Sequence, residues 1–415
     1  MSDSEARRAR EILGFSRWWL ILAAAGMMAV VGPYQYVWSS LRGPVAQNLG
    51  IESAALSTVF TLFVVFQAGS QFPVGWIRDR HGPRAISLLA AILAGGGYLG
   101  LAVATEVWQV YLFYSLGAIG VGIVYTVAVN TALKWFPDRR GLTSGIGTMA
   151  FAGGSALLVP YVRANTTLGG YAGVLRNVGV LIGLVVLVGA LVLRDPPPDW
   201  RADVASTDGE PVATDGAPRR TYTWREMLRT WQFWLMYAMF VAVSGAGLML
   251  TEKVISFADH LGLAALIATL SATLLPLAGG VGRLVLGEVS DRVPRKQAMA
   301  ASFTLCGLGL FATVYFGIGG AGAAFVGAVV VATFFWSPQY TLFPSVVGEY
   351  YGERHSSANY ALLYSGKVWG GVFGGTVTGL LVTTMGWEQT FLLGGALAVL
   401  AGAAALLLRP PSPQP

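Results

Sequence analysis

Two cations carry the chemistry of this chain. Arg283 lies in the apolar stretch 266–287 and Lys367 in the apolar stretch 358–384, and neither stretch contains an acidic residue. A guanidinium can grip a carboxylate through two parallel hydrogen bonds, and an ammonium offers a compact point charge to the same group. A charge at the centre of a bilayer costs about 2.5–3.5 kcal/mol on insertion scales, and more without a partner. A chain that keeps two such charges and supplies no buried anion takes its anion from outside, which implies a site for a small carboxylate.

Helical spacing says what shares a face with each cation. Lys367 follows Tyr364 by three residues and Tyr360 by seven, so all three can point one way. Lys367 lies thirteen residues from Arg354 and twenty from Trp387, roughly 20 and 30 Å along a helix axis, which is mid-membrane. Arg283 lies eight residues before Asp291, roughly 12 Å, and so somewhat to one side of centre. Trp336 and Tyr340, four apart, share a face; Tyr34, Gln35, Tyr36 and Trp38 crowd one segment, and Tyr125 lies inside another. Aromatic stripes also serve packing and the membrane interface, and long cationic side chains also snorkel. Glycines cluster beside both cations, at Gly279, Gly280 and Gly282 and at Gly370, Gly371, Gly374 and Gly375, where they suit close helix crossings.

The elements that must position these residues are membrane helices. The chain is 54% hydrophobic and 12% charged with mean hydropathy +0.60, the composition of an integral membrane protein. A span needs about 20 apolar residues, and twelve such runs occur, at 18–40, 54–75, 85–104, 107–133, 143–162, 174–193, 231–251, 263–287, 298–316, 321–345, 357–383 and 388–408. The polar start, residues 1–17, followed by a full span argues against a cleaved signal peptide. Loop arginines and lysines fall overwhelmingly on one side, with Arg42, Arg163, Arg176 and Lys253 on the other. Both termini and the central loop are therefore expected in the cytoplasm, with the protein in the cell membrane. The net charge of +6 reflects topology and not a nucleic-acid partner. A single cysteine, Cys306, excludes disulfides and cysteine-based metal sites, and no metal or other cofactor is expected.

The long polar segment 195–222, rich in Pro, Asp, Ala and Thr, predicts a linker between two six-helix bundles, 1–194 and 223–415. The halves share a signal. Gly75, Asp79, Arg80 and Arg84 after the second span recur at identical spacing as Gly287, Asp291, Arg292 and Lys296 after the eighth. Glycine there suits close helix approach, and Asp with Arg can bridge neighbouring helix ends, so these loops are expected to brace and gate. With its twelve spans and doubled loop motif, the chain resembles the major facilitator superfamily: all-α, twelve transmembrane helices in two pseudo-symmetric bundles that rock around a midplane site.

The resemblance narrows at Gln35-Tyr36-x-Trp38, Gln67 to Gln71, Gly120 to Tyr125, Asn130 to Gly141, Glu226 to Trp234 and Leu342 to Ser345. These are similar to the oxalate:formate antiporter family over essentially all twelve spans. The resemblance implies that Arg283 and Lys367 are carboxylate ligands. It implies that Gln35, Tyr36, Tyr125, Trp336, Tyr340 and Tyr364 wall the pocket. Tyr364 stands where the oxalate carrier has a tryptophan, and Pro338-Gln339 replaces small residues, so lactate, pyruvate, formate or another short carboxylate stays open as substrate.

Three functions compete. The leading expectation is a secondary transporter exchanging small organic anions, working as a monomer in the lipid bilayer. The rival is a proton-coupled monocarboxylate symporter, which normally wants a titratable acid in the pathway; Glu252 and Glu288 fall at predicted helix ends, which favours exchange. A non-transporting anion receptor would need an output domain larger than the 28-residue central loop. An enzyme would need a nucleophile, metal set or acid–base pair, and no such constellation is evident.

Overall fold

The computed structural model describes residues 3–136, 140–166, 170–197, 221–352 and 356–411. Twelve helices are long and apolar enough to cross a membrane. They are Trp18–Tyr36, Ser57–Gly75, Pro83–Leu101, Val107–Ala132, Gly145–Asn165, Tyr171–Val192, Trp231–His260, Ala265–Ser290, Arg295–Ile318, Gly322–Tyr351, Asn359–Met385 and Trp387–Ala405. Hydrocarbon offers no hydrogen bonds, so each apolar run satisfies its backbone internally as helix. Most of the linker 195–222 lies outside the described residues. Its two ends are held, Asp195 by Arg78 (2.6 Å) and Lys134 (3.2 Å), and Tyr222 by a backbone bond to Tyr351 (2.8 Å). After the linker comes a short helix, Trp224–Met227, closed by a reciprocal capping box between Thr223 and Glu226.

The two bundles are built alike. A Cβ on Gly95 of the third span would lie 2.9 Å from Gly183 Cα of the sixth, and one on Gly307 of the ninth would lie 2.4 Å from Gly395 O of the twelfth. Both outer helix pairs thus meet backbone to backbone, the small-residue packing that dispersion favours where no hydrophobic effect drives association. Leu157, Ile92 and Leu184 stay largely exposed, which marks the lipid face.

Four spans are interrupted, and the interruptions matter for the site. The first breaks at Gly32 and Val37, the second at Ser70, the tenth at Ser337 and the eleventh at Ser365. Each break residue keeps helical dihedrals, for instance φ −67°, ψ −29° at Ser337, so the helices bend without unwinding. Two breaks have an evident cause. Pro33 and Pro338 lack the N–H that would bond Ala29 O and Phe334 O. Those freed carbonyls face glycines of neighbouring helices: a Cβ on Gly154 would lie 2.1 Å from Ala29 O, and one on Gly282 would lie 2.0 Å from Phe334 O.

The doubled loop motif is described only in part. A Cβ on Gly75 or Gly287 would meet its nearest neighbour at 3.9 Å, ordinary contact, so neither glycine is required for close approach. The side chains of Asp79, Arg80 and Asp291 lie outside the described residues, as do 137–139 and 353–355. Arg292 does not bridge to a neighbouring helix in its described contact; it pairs with Glu288 one turn back on its own exposed helix end (2.5 Å). Among the described residues, two other arginines bridge at this end. Buried Arg78 joins Thr131 (3.2 Å) and Asp195, and Arg295 joins Ser345 O (2.9 Å) and Glu349 (3.4 Å).

Candidate anion site

Arg283 and Lys367, far apart in sequence, converge on one aromatic ring. The Tyr340 ring centroid lies 4.9 Å from the Arg283 guanidinium carbon and 5.6 Å from Lys367 Nζ. Both cations are closed off from solvent, at 5% and 3% exposure. Arg283 Nε donates to Ser337 Oγ at 2.6 Å, which fixes the guanidinium plane, and its Nη1 has no partner. Lys367 Nζ donates to Gln67 Oε1 at 3.0 Å and Gln35 Oε1 at 3.3 Å, and stands 5.7 Å from the Tyr364 ring. Among the described residues no carboxylate pairs with either cation.

The interrupted helices place this cluster. Gln35 and Tyr36 sit between the two breaks of the first span. Gln67 and Gln71 flank the break of the second, Trp336 and Tyr340 that of the tenth, and Tyr364 and Lys367 that of the eleventh. Residues three and four apart share a helix face, so each of the last three pairs turns toward one side of its bend.

The expected wall is partly direct and partly backed. Tyr340 and Tyr364 face the cations and each other at 6.0 Å. Trp336 lies edge-on to Tyr340 at 5.8 Å and flat on the seventh span, where a Cβ on Gly247 would fall 2.1 Å from its Nε1. Its described link to the cations runs through Tyr340. Tyr36 and Tyr125 both stand edge-on to Phe151, at 6.0 and 5.5 Å. Tyr34 and Trp38 belong to packing: Tyr34 Oη donates to Ala94 O at 2.6 Å, and both rings pack at a tilt against Tyr114. Gln67, Ser337 and Phe151 were absent from the expected site. A buried amide pair four residues apart, Gln67 and Gln71, was the available signal for the first.

The unsatisfied groups share a sign. Buried and without partners are Arg283 Nη1, Tyr36 Oη, Tyr340 Oη, Trp336 Nε1, Gln67 Nε2, Gln71 Nε2 and Gln339 Nε2. All can donate, and buried donors left unmade are costly. The cluster is short of acceptors, which is what a carboxylate supplies four times over. An apolar groove of about 550 Å³ between the first and sixth spans, lined by Trp19, Leu22, Leu184 and Val188, faces lipid and has no part in this chemistry.

A second buried charge cluster corrects an expectation. Glu252 is not at a helix end; its helix runs on to His260, and its side chain is fully buried. It meets Arg42 of the first span's continuation at 2.7 Å and Lys253 at 2.8 Å, while Lys253 donates to Ser57 at 2.6 Å and Arg42 to Ser256 at 3.0 Å. Arg42 and Lys253 are thus buried network members and not loop cations. Nearby, Thr61 donates to Gly371 O (3.2 Å) and Arg163 to Thr269 (2.6 Å). Among the described residues these bonds join the two bundles toward the end away from the basic loops.

The model of the Major Facilitator Superfamily matches residues 12–363 and 253–415. The chain belongs to the major facilitator superfamily. Within that superfamily it is 32% identical, over 100% of its own length and 96% of the relative, to the oxalate:formate antiporter of Oxalobacter formigenes. It is also 28% identical to human monocarboxylate transporter 11, over 60% of this chain and 50% of that one. Among solved structures, the D-xylose–proton symporter superposes with a TM-score of 0.74 at 13% identity, covering 93% and 96% of the two chains, which shows the superfamily fold. The protein is therefore a membrane transporter of this superfamily and not an enzyme.

Proposed function

We propose that the protein exchanges small organic carboxylates across the cell membrane by alternating access, with Arg283 and Lys367 as the anion's ligands. The observation that carries this is the pair of buried cations around Tyr340, ringed by orphaned donors, with no carboxylate among the described residues to answer them. The similarity to an oxalate:formate antiporter supports the same reading, and the basic loops set the termini in the cytoplasm. Exchange follows from charge. An empty carrier must occlude two cations, at about 2.5–3.5 kcal/mol each on the insertion scale. If about half of that total, roughly 2.8 kcal/mol, goes uncancelled, empty reorientation slows by about a hundredfold, at roughly 1.4 kcal/mol per decade. The test is efflux of labelled oxalate, formate or lactate from proteoliposomes, with the membrane potential clamped. Efflux about a hundredfold faster with external anion is expected; equal efflux refutes exchange.

Buried Glu252 favours one second reading, proton-coupled symport of a monocarboxylate, by supplying an acid inside a helix. Both its oxygens already face cations, which sets this reading below exchange. Uptake driven by an imposed pH gradient without internal anion would reverse that order.

A further inference from the structure

The ammonium of Lys367 is met by the protein's own acceptors. Two neutral amide oxygens meet it, Gln67 Oε1 at 3.0 Å and Gln35 Oε1 at 3.3 Å. Both glutamines are buried, at 0% and 2% exposure, and both belong to the first bundle while Lys367 belongs to the second. The seam behind them is tight: a Cβ on Gly371, one turn beyond Lys367, would lie 2.4 Å from Val64 Cβ, one turn before Gln67. The buried carboxylate Glu252 is held by Arg42 and Lys253 and is committed elsewhere.

We propose that Gln67, assisted by Gln35, is a surrogate acceptor that stands in for the substrate carboxylate and sets how strictly the carrier exchanges. This rests on the exchange reading above and adds a residue and a role to it. An ammonium has three donors. In this arrangement two of them are spent on the first bundle. An arriving carboxylate competes for the same donors with a full charge, a stronger acceptor than an amide. Departure of the anion returns Lys367 to the amides, so the empty carrier can close over a partly answered charge. The amides thereby lower, without abolishing, the barrier to empty reorientation. Arg283 has no amide acceptor among the described residues: its Nε is met by Ser337 and its Nη1 has no partner. The two cations therefore differ in what they cost when empty, and residual net transport is governed from the Lys367 side.

The experiment measures net efflux and exchange of one labelled carboxylate in the same proteoliposomes, for wild type, Gln67→Leu, Gln67→Asn and Gln67→Glu, each checked for folding by thermal unfolding. Gln67→Leu removes the acceptor and should raise the ratio of exchange to net efflux by about tenfold or more, the scale of a lost hydrogen bond to a charged group. Gln67→Asn keeps the amide one methylene short and should fall between. Gln67→Glu supplies a permanent anion. It should lower the ratio below wild type and weaken substrate binding by about tenfold or more. Should Gln67→Leu fail to fold, Gln67→Asn and Gln67→Glu still predict ratio changes of opposite sign. A ratio that is high in wild type and unchanged in the folded variants overturns the surrogate role. A ratio near one in wild type fails the exchange reading itself, so the two failures are distinguishable.

Discussion

Glu252→Gln isolates the buried network that joins the bundles at the end away from the basic loops. The carboxylate is fully buried, 2.7 Å from Arg42 and 2.8 Å from Lys253, and Arg42 comes from the other bundle. Removing one partner of a buried ion pair costs about 3–5 kcal/mol, because the charges left behind are uncompensated. The amide oxygen introduced can still accept one hydrogen bond, worth about 1 kcal/mol, so about 2 kcal/mol or more of penalty remains. That penalty applies only while this end is closed. Once it opens, Arg42 and Lys253 reach water and are hydrated in both proteins. At roughly 1.4 kcal/mol per decade, the balance shifts toward the open form by about thirtyfold. The assay is the labelling rate of a cysteine placed at Ser57, which accepts from Lys253 inside the closed seam. A membrane-impermeant maleimide is added from outside in a Cys306→Ala background. Labelling at least tenfold faster in Ser57→Cys/Glu252→Gln than in Ser57→Cys alone is expected. Equal rates would show that the network does not hold this end shut.

Arg283→Lys should weaken carboxylate binding and uptake by about ten- to a hundredfold, since it loses both the planar donor pair and the Ser337 anchor. Lys367→Arg should also impair uptake, because a guanidinium must fit between Gln35, Gln67 and two tyrosine rings. Wild-type uptake and affinity in both variants would refute the assignment. Gly282→Ala sets a methyl 2.0 Å from Phe334 O and should cost about 1–3 kcal/mol, read as a lower unfolding temperature with loss of transport. Gly153→Ala, with nothing within 4 Å, should leave the unfolding temperature unchanged.

Much of the architecture was legible because hydropathy is a long-range average, and twelve apolar runs survive single-residue exceptions. The two cations were legible for the opposite reason, since each breaks such a run alone. Tyr364 followed from its helical spacing to Lys367, and Tyr340 only from the family resemblance. Gln67 and Ser337 were not, because neutral polar residues are common in spans and only tertiary convergence shows that these two hold Lys367 and Arg283. Glu252 was misplaced by the same averaging that worked elsewhere. Adjacent Glu252 and Lys253 look like a helix end at a membrane surface, and the helix continues only because Arg42 arrives from another span. The breaks at Pro33 and Pro338 were visible as prolines. That each freed carbonyl would find a glycine on a neighbouring helix was not, since it depends on which helices pack.

Those two glycines lie on helices that also touch one another. The fifth span, bearing Gly154, and the eighth, bearing Gly282, pack together across the bundles: a Cβ on Gly145 would lie 2.9 Å from Leu284, and one on Gly280 would lie 3.5 Å from Met149. The bent first and tenth spans are each seated on one member of this pair. The pair is thus a common axle with a flexible arm on either side. Stiffening one arm loads the other through the axle. Genetics can read such a linkage without a structure. A transport defect that arises by restoring the backbone bond in one arm, as Pro338→Ala would, should be relieved by intragenic suppressors that loosen the other arm or its seat near Gly154. Those suppressors would map to the opposite bundle and touch no substrate ligand.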